Sequence, residues 1–201
     1  MGQRLVVTIE RTEKPLARLY FHWSAYTGDA LYVTRDIVHC IYNHKDETDR
    51  DMLLRLIRFC EERGGCIDGG TDGEEAKYIM QLYPDEKFNQ TGSRSNGLIA
   101  LSKAGMADMQ YHSEGDVYID LDKDQIDFCV YSGYENLAEY VTERQSWDYD
   151  FEEFTLSEIP RVSYELGYIN VDDIDALIKE FERTEDNQGV IMFGHEIVEL
   201  I

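Results

Sequence analysis

Asp116-Val117-Tyr118-Ile119-Asp120-Leu121-Asp122-Lys123-Asp124-Gln125-Ile126-Asp127 alternates apolar and polar residues with a period of two. That is the pattern of a half-buried strand. Val117, Ile119 and Leu121 fall on one side, Tyr118, Asp120 and Asp122 on the other. After the polar turn Asp122-Lys123-Asp124-Gln125, the alternation resumes with Ile126, Phe128 and Val130 against Asp127 and Cys129. The stretch predicts a β-hairpin with one apolar face. Five of its twelve residues are Asp, so the other face is expected to carry carboxylates about 6.5–7 Å apart along the strand.

Outward from this hairpin, the charge is distributed unevenly. The chain of 201 residues has 41 acids, 19 bases and a formal net charge of −22. Residues 1–60 are near neutral at +1, residues 61–110 carry −4, and residues 111–201 carry −19. A halophilic chain would spread its acids more evenly. The asymmetry points instead to a charged interaction surface. A chain of this charge is repelled by nucleic acid and by anionic membranes, and is drawn to basic partners.

Other segments predict the body that holds the hairpin. Leu5 to Ile9 and Leu16 to Trp23 read as an N-terminal hairpin turning at residues 11–15. Ala25 to Asn43 reads as a helix on the spacing of Leu31, Thr34, Ile37, Val38 and Ile41. A second helix, capped by Thr48 or Asp49, buries Met52, Leu56, Ile57 and Cys60 and ends at Gly64-Gly65. A short helix runs from Glu74 to Tyr83, stopped before Pro84. Leu98 to Leu101 suggests a short buried strand. Ser102 to His112 suggests a helix with Met106 and Met109 inward. Asn136 to Thr142 fits either helix or strand. Val171 to Glu185 reads as a helix capped by Asn170, with Phe181 inward, and Val190 to Ile201 as one or two closing strands. The expectation is a single α+β domain over residues 1–201, with antiparallel hairpins packed against several helices.

Specific chemistry finds little support. Asp120-x-Asp122-x-Asp124 copies the opening of a calcium loop, but Gln125 stands where Gly is needed and Tyr131 where a bidentate Glu is needed. Cys60 and Cys66 lack the close spacing of a zinc knuckle. The glycine-rich stretch 64–73 has no Gly-Lys-Ser/Thr ending and reads as a flexible connection rather than a phosphate cradle. No metal or cofactor is expected. His22-Trp23-Ser24 is the most site-like histidine context. An enzyme working around His22 and the glycine-rich loop is therefore one alternative, and an acidic interaction protein without mimicry is another. Arg50, Arg55, Arg58 and Arg63 are expected to pair with Asp46, Asp49, Glu62 or the acidic half. No secretion signal or membrane span is read, so a cytoplasmic location with reduced thiols is expected.

The candidate partner-binding residues form an acidic array. Asp116, Asp120, Asp122, Asp124 and Asp127 supply the hairpin part. Glu135, Glu139 and Glu143 step by four, one stripe if that segment is helical. Asp148, Asp150, Glu152 and Glu153 extend it, interleaved with Trp147, Tyr149, Phe151 and Phe154 as aromatic anchors. Carboxylates accept the Arg fork bidentately, as phosphates do, so such an array can occupy a groove built for nucleic acid.

Met1-Gly2-Gln3-Arg4 with Tyr20-Phe21-His22-Trp23-Ser24-Ala25-Tyr26, and Arg94-Ser95-Asn96-Gly97-Leu98-Ile99-Ala100 with Asp116 to Phe128, resemble small acidic proteins of phages and mobile elements of Gram-positive bacteria. Acidic phage proteins of this size include anti-restriction DNA mimics and anti-CRISPR proteins that block type II effectors. The resemblance implies a non-enzymatic inhibitor of a nucleic-acid-binding defence protein. The expected target is Cas9, free or loaded with its guide RNA, whose channel must be strongly basic to hold a heteroduplex.

Overall fold

The structure is a computed structural model that describes residues 4–25, 27–68, 73–130, 164–186, 190–193 and 196–199. The expected α+β class is observed. A seven-stranded mixed sheet has the order β3-β4-β2-β1-β5-β6-β7. Its strands are β1 (Leu5–Arg11), β2 (Lys14–Phe21), β3 (Cys66–Ile67), β4 (Leu98–Ala100), β5 (Gly115–Asp120), β6 (Gln125–Val130) and β7 (Tyr164–Asn170). A separate hairpin pairs β8 (Val190–Phe193) with β9 (Glu196–Glu199).

The helices are α1 (Thr27–Ile41), α2 (Asp49–Glu62), α3 (Glu74–Leu82), α4 (Lys103–Tyr111) and α5 (Ile174–Asp186). Most match the expected spans within a few residues because their stop signals are local. Thr48 caps α2 by accepting from the Asp51 N–H. Ser102 caps α4 by accepting from the Gly105 N–H at 3.0 Å. Asn170 accepts from the Asp172 N–H ahead of a 3₁₀ turn, Val171–Asp173, that leads into α5. Among the described residues, no helix is long and apolar enough to cross a membrane.

The alternating pattern of the strands sorts the layers. Leu5, Val7 and Ile9 of β1, Val117 and Ile119 of β5, and Ile126 and Phe128 of β6 face one side. There they pack with Leu31 and Ile37 of α1, Leu56 and Ile57 of α2, Ile79 of α3, and Ile174 and Ile178 of α5. On the other side, among the described residues, α4 packs over one part of the sheet. Met106 and Met109 pack there with Val6, Tyr20, Cys66, Leu98 and Ala100.

Two features depart from the hairpin-based expectation. β1 pairs with β5 in parallel, and β3 pairs with β4 in parallel. Both pairings join segments far apart in sequence, where no turn fixes the partner. Two strands were also unexpected: β7, and β3 within the glycine-rich stretch. Residues 64–68 of that stretch are not the loose connection expected, since Gly65, Cys66 and Asp68 donate backbone hydrogen bonds to Cys60, Gly97 and Ile99 respectively. Residues 69–72, Asn136 to Thr142 and Trp147 to Phe154 lie outside the described residues, as does the side chain of Phe181.

The β1–β2 turn holds a local cost. Thr12 and Glu13 both adopt left-handed backbone, with φ of 55° and 56°. That geometry suits a two-residue hairpin turn, but it favours Asn-Gly over a β-branched residue. Thr12→Asn combined with Glu13→Gly should stabilise the protein by about 1–2 kcal/mol. The melting temperature should then rise by about 3–6 °C. Glu13→Gln is the control, because it removes the same charge and leaves the backbone strain. An equal rise in the control would assign the effect to charge instead.

Candidate partner-binding face

Among the described residues, α4 packs over β2, β4 and Val6 of β1, and the outer face continues across β1, β5 and β6. Backbone register sets two rows across it. Thr8, Tyr118 and Asp127 form one row, and Glu10, Asp120 and Gln125 the next. Glu10, Tyr118, Asp120, Lys123, Gln125 and Asp127 line a recess of about 300 Å³. Three of these six side chains are carboxylates and one is a cation. Burial, and then the charge of Asp120, raise the pKa of Glu10 above the ordinary carboxylate value. Asp120 moves the other way. Burial pushes it up, but bonds from the Lys123 ammonium and from the Lys123 and Asp122 backbone N–H groups outweigh that and hold it below its ordinary value.

The five hairpin aspartates do not form one row. Asp116, Asp120 and Asp127 share the outer face, as the alternation predicts. Asp116 sits at its far end and ties β5 to α4, accepting from Gln110 Nε2 and Ser113 Oγ, each at 2.6 Å. Asp122 and Asp124 belong to the turn. Asp122 accepts from the Thr12 N–H, and Asp124 from Lys45 Nζ at 2.7 Å. Asp120 accepts from the N–H groups of Asp122 and Lys123 at 3.0 and 3.1 Å, and from Lys123 Nζ at 2.8 Å. The Asp-x-Asp-x-Asp spacing is thus used to close a turn. Among the described residues, no group of three His, Cys, Asp or Glu side chains is placed to hold a metal.

The turn is anchored on several sides. The Leu121 N–H donates to the Glu10 carbonyl at 3.0 Å, and the Val171 N–H to the Asp124 carbonyl at 2.9 Å. Contacts to the β1–β2 turn, to Lys45 and to the entry of α5 fix the acidic end in place, so its carboxylates need little ordering when a partner binds.

Glu10 was missed by the sequence reading, which counted it in the near-neutral half. Its only sequence signal is its polar position at the end of Leu5-Val6-Val7-Thr8-Ile9. The parallel pairing with β5 brings it beside Asp120. Glu135, Glu139, Glu143, Asp148, Asp150, Glu152 and Glu153 lie outside the described residues.

Three of the four helix arginines pair with carboxylates, though with other partners than those expected. Arg55 meets Glu47, Arg58 meets Glu61 and Glu86, and Arg63 meets Asp36. Arg50 lies over the Tyr83 ring, while Asp49 pairs with Arg11. His22, the centre of the enzyme alternative, bonds through Nδ1 to the Tyr20 hydroxyl at 2.9 Å and meets Trp23 edge-on. Cys60 is buried on α2 as expected, and burial pushes its thiol pKa far up. Comparison with protein-family models, with curated proteins and with solved structures finds no match.

Proposed function

We propose that the protein is a non-enzymatic inhibitor that binds the basic nucleic-acid channel of a bacterial defence protein, with Cas9 as its target. The observation that carries this reading is the convergence of Glu10, Asp120 and Asp127 on one recess of a sheet face. It lies at the acidic end of a chain whose net charge is −22. A guanidinium or ammonium entering there meets carboxylates already held in position. Long-range attraction between the two surfaces steers the encounter. The resemblance to phage and mobile-element proteins supplies the choice of target.

The test is DNA cleavage by guide-loaded Cas9 with the purified protein added. Wild type should inhibit, and inhibition should weaken steeply with added salt. Glu10→Gln/Asp127→Asn should lower inhibitory potency about tenfold, the equivalent of about 1.4 kcal/mol, with the folded circular-dichroism spectrum retained. Both positions line the recess, whereas Asp122 and Asp124 belong to the turn. A wild type without effect on Cas9 would remove the target. Full potency in the double variant would remove the recess from the interface.

A further inference from the structure

A second recess has the opposite chemistry. It measures about 290 Å³ and is lined by Phe21, Ser24, Val33, Arg63, Ser95 and Asn96. Four separate parts of the chain meet there. Phe21 and Ser24 come from the end of β2 and the link to α1, Val33 from α1 itself. Arg63 is the residue that closes α2, and Ser95 and Asn96 belong to the 3₁₀ turn before β4. Phe21 and Val33 are buried and form an apolar floor. The remaining four lining residues carry hydroxyl, amide and guanidinium groups, and no carboxylate is among the described lining.

The local charge runs against the whole chain. Arg63 Nη1 donates to Asp36 Oδ2 at 2.7 Å, and Arg35 donates to Asp36 Oδ1 at 3.0 Å. Two guanidiniums thus share one carboxylate, Arg63 also lies over the Phe59 ring, and Arg63 is the charged residue of the described lining. Asp36 engages one nitrogen of the Arg63 fork, and a guanidinium has five N–H donors. The side chains of Ser24, Ser95 and Asn96 make no hydrogen bond to other described residues. Convergent donors with unspent capacity over an apolar floor are the composition of a small-ligand site.

We propose that this recess binds an oxyanion, a phosphate or carboxylate group, whose attached apolar portion rests against Phe21 and Val33. Arg63 supplies the charge and the directed fork. Asn96 donates from its amide, and Ser24 and Ser95 donate from their hydroxyls. The site stands apart from the acidic face and does not depend on that face's function.

Titration followed by amide and side-chain NMR shifts tests the proposal. Inorganic phosphate, phenyl phosphate, acetate and phenylacetate are the probes, each at constant ionic strength with chloride as the reference. At least one oxyanion should give saturable shifts at Ser24, Ser95 and the Asn96 side-chain amide, and its phenyl derivative should bind more tightly. Saturation by the phosphates or by the carboxylates alone identifies the source. Asn96→Ala and Ser24→Ala should each weaken binding about fivefold, the equivalent of about 1 kcal/mol for one lost hydrogen bond, without moving the melting temperature. Shifts that do not saturate, that chloride reproduces, or that persist unchanged in Asn96→Ala would overturn the proposal.

Discussion

Gly65→Ala should destabilise the protein by at least about 3 kcal/mol, the upper range for forcing atoms into a packed site. A Cβ at Gly65 would lie 2.0 Å from the Gly97 carbonyl oxygen and 2.9 Å from the Cys60 carbonyl oxygen. Both neighbours are backbone, so no side-chain rotation relieves the overlap. Both oxygens also serve the structure: Gly97 accepts from the Cys66 N–H at 3.0 Å, and Cys60 from the Gly65 N–H at 2.7 Å. Moving either one breaks the link between the end of α2 and the β3–β4 pair. Gly64→Ala separates this crowding from the loss of a glycine. Its φ is +78°, and among the described residues a Cβ would meet only the Asn96 side-chain amide, at 3.1 Å. It should cost about 1–2 kcal/mol from backbone strain alone. Urea unfolding measures both. A Gly65→Ala protein no weaker than Gly64→Ala would show that β3 tolerates displacement.

This pair of glycines also shows where the sequence was legible and where it was not. Gly64 stands at the end of an amphipathic run that begins at Thr48, and a helix stop was readable from that position. Gly65 beside it is required by the passage of residue 97, which no local pattern announces. Strands followed the same rule. The period-2 alternation of Val117, Ile119, Ile126 and Phe128 gave the hairpin and its buried face, because a short turn fixes the partner. The same alternation in Leu5, Val7 and Ile9 gave a strand but not its parallel neighbour β5. Pairing over more than a hundred residues depends on the packing of the intervening helices, and period-2 reading carries no information on that. β3 is two residues long, too short for any periodicity.

For the acidic face, alternation placed Asp116, Asp120 and Asp127 together, as the structure does. It did not reveal which acids the fold uses for itself. Asp122 and Asp124 continue the spacing of Asp120 in sequence, yet the first caps the Thr12 N–H and the second binds Lys45. Those partners lie 110 and 79 positions away. Glu10 is the converse case, an acid in a neutral segment that joins the face through the parallel pairing. The count of acids therefore located the charged region, while the composition of the recess depended on tertiary structure.

Glu75→Ala should cost about 3 kcal/mol and lower the melting temperature by about 6–12 °C, since one buried and one part-buried backbone donor lose their acceptor. Glu75 is 5% exposed. Its Oε1 accepts from the N–H groups of Leu101 and Ser102 at 2.6 and 2.9 Å, and its Oε2 accepts from the Ser102 hydroxyl. The carboxylate thus sits on the N-terminus of α4, where the helix dipole favours negative charge. It also explains Gly105 in the first turn of that helix, because a Cβ there would lie 2.3 Å from Glu75 Oε2. Two substitutions distinguish capping from simple filling of space. Glu75→Gln keeps an oxygen that can take both N–H groups and should cost only about 1 kcal/mol. Glu75→Leu fills similar volume without an acceptor and should cost nearly as much as Ala. Hydrogen exchange should localise the damage to α4, which shields Val6, Tyr20 and Leu98 on its side of the sheet. The β1–β5–β6 face should remain protected, since the turn that anchors it makes no bond to Glu75. A Leu variant as stable as wild type would show that the buried carboxylate does not support α4 by capping.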